Sequence, residues 1–135
     1  MACLDTTFLI DLIREIRRRK NGPATMLLKQ LLENGEALTI SLFAIAELYA
    51  GTQTHSGKEK ESLEDLLAWF EILPFGTSTA RIFGVLYGSL RAQGQEIGVI
   101  DTLIASVAIE NNEILITQNI KPFSRISGLV TKSYG

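Results

Sequence analysis

Three carboxylates stand alone in stretches of chain that are otherwise uncharged. Asp5 is the only charge in MACLDTTFLI, Glu47 the only one between Ala37 and Thr54, and Asp101 the only one in IGVIDTLIASVAI. An unpaired carboxylate among apolar residues is costly to bury, so it ordinarily has a hydrogen-bonding partner or a metal. Three such groups, distant in sequence but convergent in space, would make a divalent-cation site. Hard cations such as magnesium take oxygen ligands, a few carboxylates with water and substrate phosphate completing the shell.

Each carboxylate has a plainer explanation. Asp5 and Asp101 both precede helical patterns, and Asp is a favoured N-cap. Glu47 falls in mid-helix and escapes that explanation, its plain role being a charge at the solvent edge. Thr117 and Asn119, in Thr117-Gln118-Asn119, supply uncharged oxygens close to a strand end. Thr117 could hold a carboxylate or a water, and Asn119 could ligate a metal or orient a water. Simple turn chemistry is the competing role for Asn119.

The elements that must position these groups follow from the apolar pattern. Ala2 to Leu4 reads as a buried strand, running through Asp5 into a helix over Thr6 to Arg19. Asn21-Gly22-Pro23 signals a turn, with Pro23 in the first turn of a helix to about Asn34 and Leu27, Leu28, Leu31 and Leu32 as its stripe. Ala37 to Ser41 is a second strand. Leu42 to Thr52 is a helix, with Leu42, Ile45, Ala46 and Tyr49 on one face. His55 to Glu61 is a loop or helix start, and Leu63, Leu66, Leu67 and Phe70 continue a helix. Glu71 to Phe75 is a short strand ended near Pro74, and Thr77 to Ala92 a further helix. Asp101 opens a helix to about Glu110, Ile114 to Thr117 is a strand, and Leu129 to Thr131 an edge strand. Strands alternating with helices imply βαβ units and a parallel sheet covered on both faces. Ligands of such sheets bind beyond the carboxyl ends of the strands, where Asp5 and Asn119 fall.

Length and composition bound the rest. A chain of 135 residues, 46% hydrophobic and 21% charged, suits a single domain over 1–135 and is neither disordered nor fibrous. A formal charge of −2 gives no global signature of nucleic-acid binding, although a metal can bridge phosphate to an acidic site. Cys3 is the only cysteine. No internal disulfide can form, and a buried small hydrophobe in a reducing cytoplasm is the expectation. No apolar run approaches the ~20 residues that span a bilayer, and Asp5 interrupts any leader-like start. Five of the thirteen basic residues cluster at Arg14, Arg17, Arg18, Arg19 and Lys20. They form either a phosphate-steering patch or a solvated helix end. Asp11 reads as a solvated carboxylate and stays outside the site. His55, the sole histidine, makes neither a zinc site nor nucleophilic catalysis. Trp69 is expected in the core or a subunit interface.

Taken in order, LDTTFLIDL, SLFAIAELYAG, IGVIDTLIASVAIENN and ILITQNIKPFSRISGL resemble a PIN-domain ribonuclease, and within that family the VapC class of toxin from toxin–antitoxin pairs. The resemblance spans nearly the whole chain. It implies a three-layer α/β/α sandwich around a parallel sheet. It also implies a magnesium- or manganese-dependent endoribonuclease with Asp5, Glu47 and Asp101 as acidic triad and Thr117 and Asn119 as a TxN variant. Many PIN domains carry a fourth acid where Asn119 stands, which puts a second metal in question. RNA as substrate, a small cognate antitoxin, a homodimer and 5′-phosphate products are further implications. The rival reading is a catalytically silent PIN-like module that binds RNA or protein. A haloacid-dehalogenase-like phosphotransferase would want DxD, and Thr7 stands in the third position.

Overall fold

A computed structural model describes residues 1–51 and 56–135. Its centre is a five-stranded, wholly parallel sheet in the order β3-β2-β1-β4-β5. The strands are β1 (Ala2–Leu4), β2 (Leu38–Ser41), β3 (Glu71–Leu73), β4 (Ile114–Ile116) and β5 (Thr131–Lys132). Every residue of β1 and β2 is buried, as required of inner parallel strands with helices on both faces. The helices are α1 (Thr6–Arg17), α2 (Pro23–Glu33), α3 (Leu42–Gly51), α4 (Gly57–Leu67), α5 (Thr77–Ala92), α6 (Val99–Glu110) and α7 (Ile120–Phe123). From β1 the chain winds one way through β2 to β3, and the other way through β4 to β5. The strand order therefore reverses between β1 and β4, and ligands bind at such a switch point.

Most boundaries agree with the sequence to within two residues, and the differences have local causes. The first helix ends at Arg17 because Arg19 takes a positive φ of 53°. Gly35, at φ 70°, stops α2, and the Gly35 and Glu36 amides bond back to the Leu32 and Leu31 carbonyls. Pro74 lacks the N–H that β3 would need to continue. Helix α6 begins at Val99, so Asp101 lies inside its first turn and Gly98 is the N-cap. The edge strand forms at Thr131–Lys132 rather than over Leu129 to Thr131. Thr52 and His55 lie outside the described residues.

The expected face of α3 is overturned. Ala44 and Leu48 are the buried pair, whereas Leu42, Ala46 and Tyr49 are exposed. LFAIAELYAG is apolar nearly all round, so periodicity could not select the inward side. Trp69 is not in the core either, being 79% exposed. Cys3 is fully buried as expected, and burial pushes its thiol up to about 12.

Helix α2 is capped from another helix. Gly22 has no side chain to offer its first-turn amides, and Glu15 of α1 accepts from Ala24 N at 3.0 Å and Thr25 N at 2.8 Å. A Cβ at Gly22 would come within 2.5 Å of Glu15 Cδ, so glycine is what allows the approach. Burial pulls the Glu15 pKa up, but the Thr25 and Ala24 amides outweigh it and leave it below its ordinary 4.5. Glu15→Ala is expected to cost about 1 kcal/mol, as for loss of an N-cap. Because the folded pKa is depressed, that contribution is present above pH 4.5 and fades as pH falls through the folded value. Denaturant melts of the two proteins at neutral and acid pH check it.

Candidate metal centre

Asp5 ends β1 and is backbone N-cap to α1, yet its side chain caps nothing. It is 2% exposed. Its Oδ2 accepts from Thr117 Oγ1 at 2.6 Å and from Thr7 Oγ1 at 3.1 Å. Those hydroxyls in turn accept from backbone amides, Thr117 from Asn119 N at 2.9 Å and Thr7 from Gln118 N at 3.2 Å. Two strand ends at the switch point are thereby tied through one carboxylate, with its other oxygen making no hydrogen bond among the described residues. The amides polarise the hydroxyls toward Asp5, so its carboxylate is held in one orientation.

Glu47, on α3, is exposed rather than buried. It is fixed by Thr6, whose Oγ1 donates to Glu47 Oε1 at 2.7 Å. Asp101 is partly buried in the first turn of α6. Burial, then the negative charges of Asp5 and Glu47, push its pKa from 3.8 up to about 6. Asp5 and Glu47 are thus near enough to Asp101 to act on its charge. No cationic side chain is paired with any of them among the described residues. Thr117 is fully buried. Asn119 is half-buried at the start of α7, and its side-chain amide makes no hydrogen bond among the described residues.

The capping explanation therefore fails for Asp5 and for Asp101. Thr6 and Thr7 were missed by sequence reasoning as positioning groups. The available signal was a pair of hydroxyl residues directly after the lone acid at a strand end. Asp11 is not a merely solvated carboxylate, because Tyr134 Oη donates to its Oδ2 at 2.6 Å and Arg14 lies 3.8 Å from its Oδ1.

A cluster of hard oxygen donors with unrelieved mutual repulsion is chemically suited to magnesium or manganese. Among the described residues no three acidic, histidine or cysteine side chains are gathered closely enough to hold a metal ion by themselves. An ion held here would take much of its shell from water or substrate oxygens, as magnesium ordinarily does.

The PIN domain family profile matches residues 2–129. Ribonuclease VapC2 of Rickettsia felis is 36% identical over 107 residues, covering 78% of this chain and 80% of the relative. Ribonuclease VapC2 of Haemophilus influenzae is 30% identical over 133 residues, covering 97% and 96%. Among solved structures, VapBC2 from Rickettsia felis bound to a promoter DNA fragment superposes with a TM-score of 0.87 at 29% identity, covering 99% of this chain and 98% of that one. VapBC-1 from Haemophilus influenzae gives 0.82 at 29% identity, covering 98% and 96%. The parallel sheet, the site at its switch point and these likenesses agree: the chain belongs to the PIN-domain family, and within it to the VapC class of toxin.

Proposed function

We propose that residues 1–135 act as one PIN unit, a metal-dependent endoribonuclease serving as the toxin of a toxin–antitoxin pair. The observation that carries this reading is the placement of Asp5, Glu47 and Asp101, mutually repelling and unpaired with any cation, at the switch point of a VapC-type fold. Asp5, Glu47 and Asp101 would hold Mg²⁺ or Mn²⁺, with Thr117 orienting Asp5 and Asn119 directing its free amide oxygen to a ligand or a water. When bound, such an ion acidifies a ligated water and offsets charge on the phosphate. The chain's own part is orientation. Thr117 and Thr7 fix Asp5, Thr6 fixes Glu47, and the first turn of α6 carries Asp101.

RNA is the proposed substrate, supported by the relatives' names, which include a tRNA(fMet)-specific endonuclease VapC from Shigella flexneri. A small cognate antitoxin is the proposed partner, as in the VapBC complexes. A homodimer is supported by large apolar side chains left exposed, Trp69 at 79% and Val85 at 73% among them. No helix among the described residues is long and apolar enough to cross a membrane. The cytoplasm is the proposed compartment, supported by the lone buried Cys3.

Cleavage of structured and unstructured RNAs, with Mg²⁺ or Mn²⁺ against chelator, tests the reading. Cleavage is expected only with metal, and none under any metal condition would refute it. In the same assay, Asn119→Asp should keep or tighten metal binding, since it restores a charge that related domains carry. Asn119→Ala should weaken cleavage while leaving the fold intact. Unchanged affinity and unchanged cleavage in both would remove Asn119 from the site.

A further inference from the structure

A cleft of about 380 Å³ opens between α1, the N-terminus of α2 and the loop after β4. Arg14, Arg18, Lys20 and Gln118 are among the residues that line it. The two acids within it are already engaged. Glu15 is held by the α2 amides, and Asp11 by the Tyr134 hydroxyl and Arg14. Arg18 and Lys20 make no ion pair or side-chain hydrogen bond among the described residues. A chain with a net charge of −2 thus presents unneutralised cations at one place. Gln118 connects that place to the carboxylates, since it sits between Thr117 and Asn119 and its amide donates to Thr7. At 1.5 Å per residue, Arg14 lies about 13 Å along α1 from Asp5. The cations therefore reach a phosphate beside the scissile one, not the scissile phosphate itself.

We propose that this cleft binds a backbone phosphate of the RNA flanking the cut, with Arg14, Arg18 and Lys20 as its cationic lining and Gln118 directing the strand from cleft to carboxylates. The inference rests on the ribonuclease reading above. Binding is through charge and geometry, so it sets register along the strand without reading bases.

The test compares the full-length protein with Arg18→Gln/Lys20→Gln, both positions being exposed and outside the carboxylate site. On a single-stranded oligoribonucleotide the variant should raise KM between about three- and tenfold with kcat kept, the scale of two exposed charge pairs. The slope of log affinity against log salt should flatten by about 0.7 for each phosphate no longer neutralised, measured in an Asp5→Asn background. Flanking linkages are then replaced one at a time by uncharged methylphosphonate. One replacement should weaken the unaltered protein and have no further effect in the variant. Equal penalties in both proteins, or an unchanged KM and salt slope, would overturn the cleft while cleavage itself persisted, and would leave the cations to an acidic protein partner. Absence of metal-dependent cleavage in the unaltered protein would instead bring down the ribonuclease reading, and the cleft with it.

Discussion

Asp5→Asn and Asp101→Asn are each expected to reduce RNA cleavage by roughly a thousandfold while the protein stays folded. Stabilisation of phosphate charge at a metal is worth several kcal/mol, and each ~1.4 kcal/mol is a factor of ten in rate. The fold should survive because Asn keeps an oxygen that can accept from Thr117 or Thr7 at position 5. At position 101 the change removes a charge that its surroundings disfavour. Circular dichroism and thermal melts establish folding, and single-turnover cleavage supplies the rate. A folded variant that cuts at the unaltered rate would exclude that carboxylate from the site.

The second large effect links metal, pH and stability. The folded pKa of Asp101, about 6, lies above its ordinary 3.8. In this window the native state binds more protons than the unfolded chain, so stability falls as pH rises from 3.8 through 6. Comparison with Asp101→Asn isolates this contribution from other titrating groups. Added Mg²⁺ or Mn²⁺ should reverse the trend, since it binds the ionised carboxylates. At about a hundred times Kd, the ion stabilises by about 2.7 kcal/mol, a rise in midpoint of roughly 10 °C for a domain of this size. The rise should be greatest above the Asp101 pKa, shrink below it, and vanish in Asp5→Asn/Asp101→Asn. A midpoint indifferent to millimolar metal above that pKa would contradict a preformed site.

The parallel sheet was legible from short apolar runs separated by helical patterns, though its strand order was not, and Asp5, Thr117 and Asp101 stood out because each interrupts or ends such a run. Glu47 was identifiable by the same pattern, and its exposure matches the solvent-edge position that the sequence also offered. Its helix is apolar on nearly every side, so the sequence could show a lone acid without showing which face looked outward. Helix α7 was invisible because four residues containing Pro122 carry no period. The pairing of Asp11 with Tyr134 joins residues 123 positions apart, and nothing local announces it. Thr6 and Thr7 lay in plain view, but their roles depend on where Glu47 and Thr117 arrive in space.

The origin of the new oxygen in the product tests the central claim most directly. Were the carboxylates to hold a metal and its water, that water and not the ribose 2′-hydroxyl would attack the phosphorus. RNA cut by the unaltered protein with Mn²⁺ in heavy-oxygen water should carry the label in a 5′-phosphate and leave a free 3′-hydroxyl. Unlabelled products ending in a 2′,3′-cyclic phosphate would contradict the account.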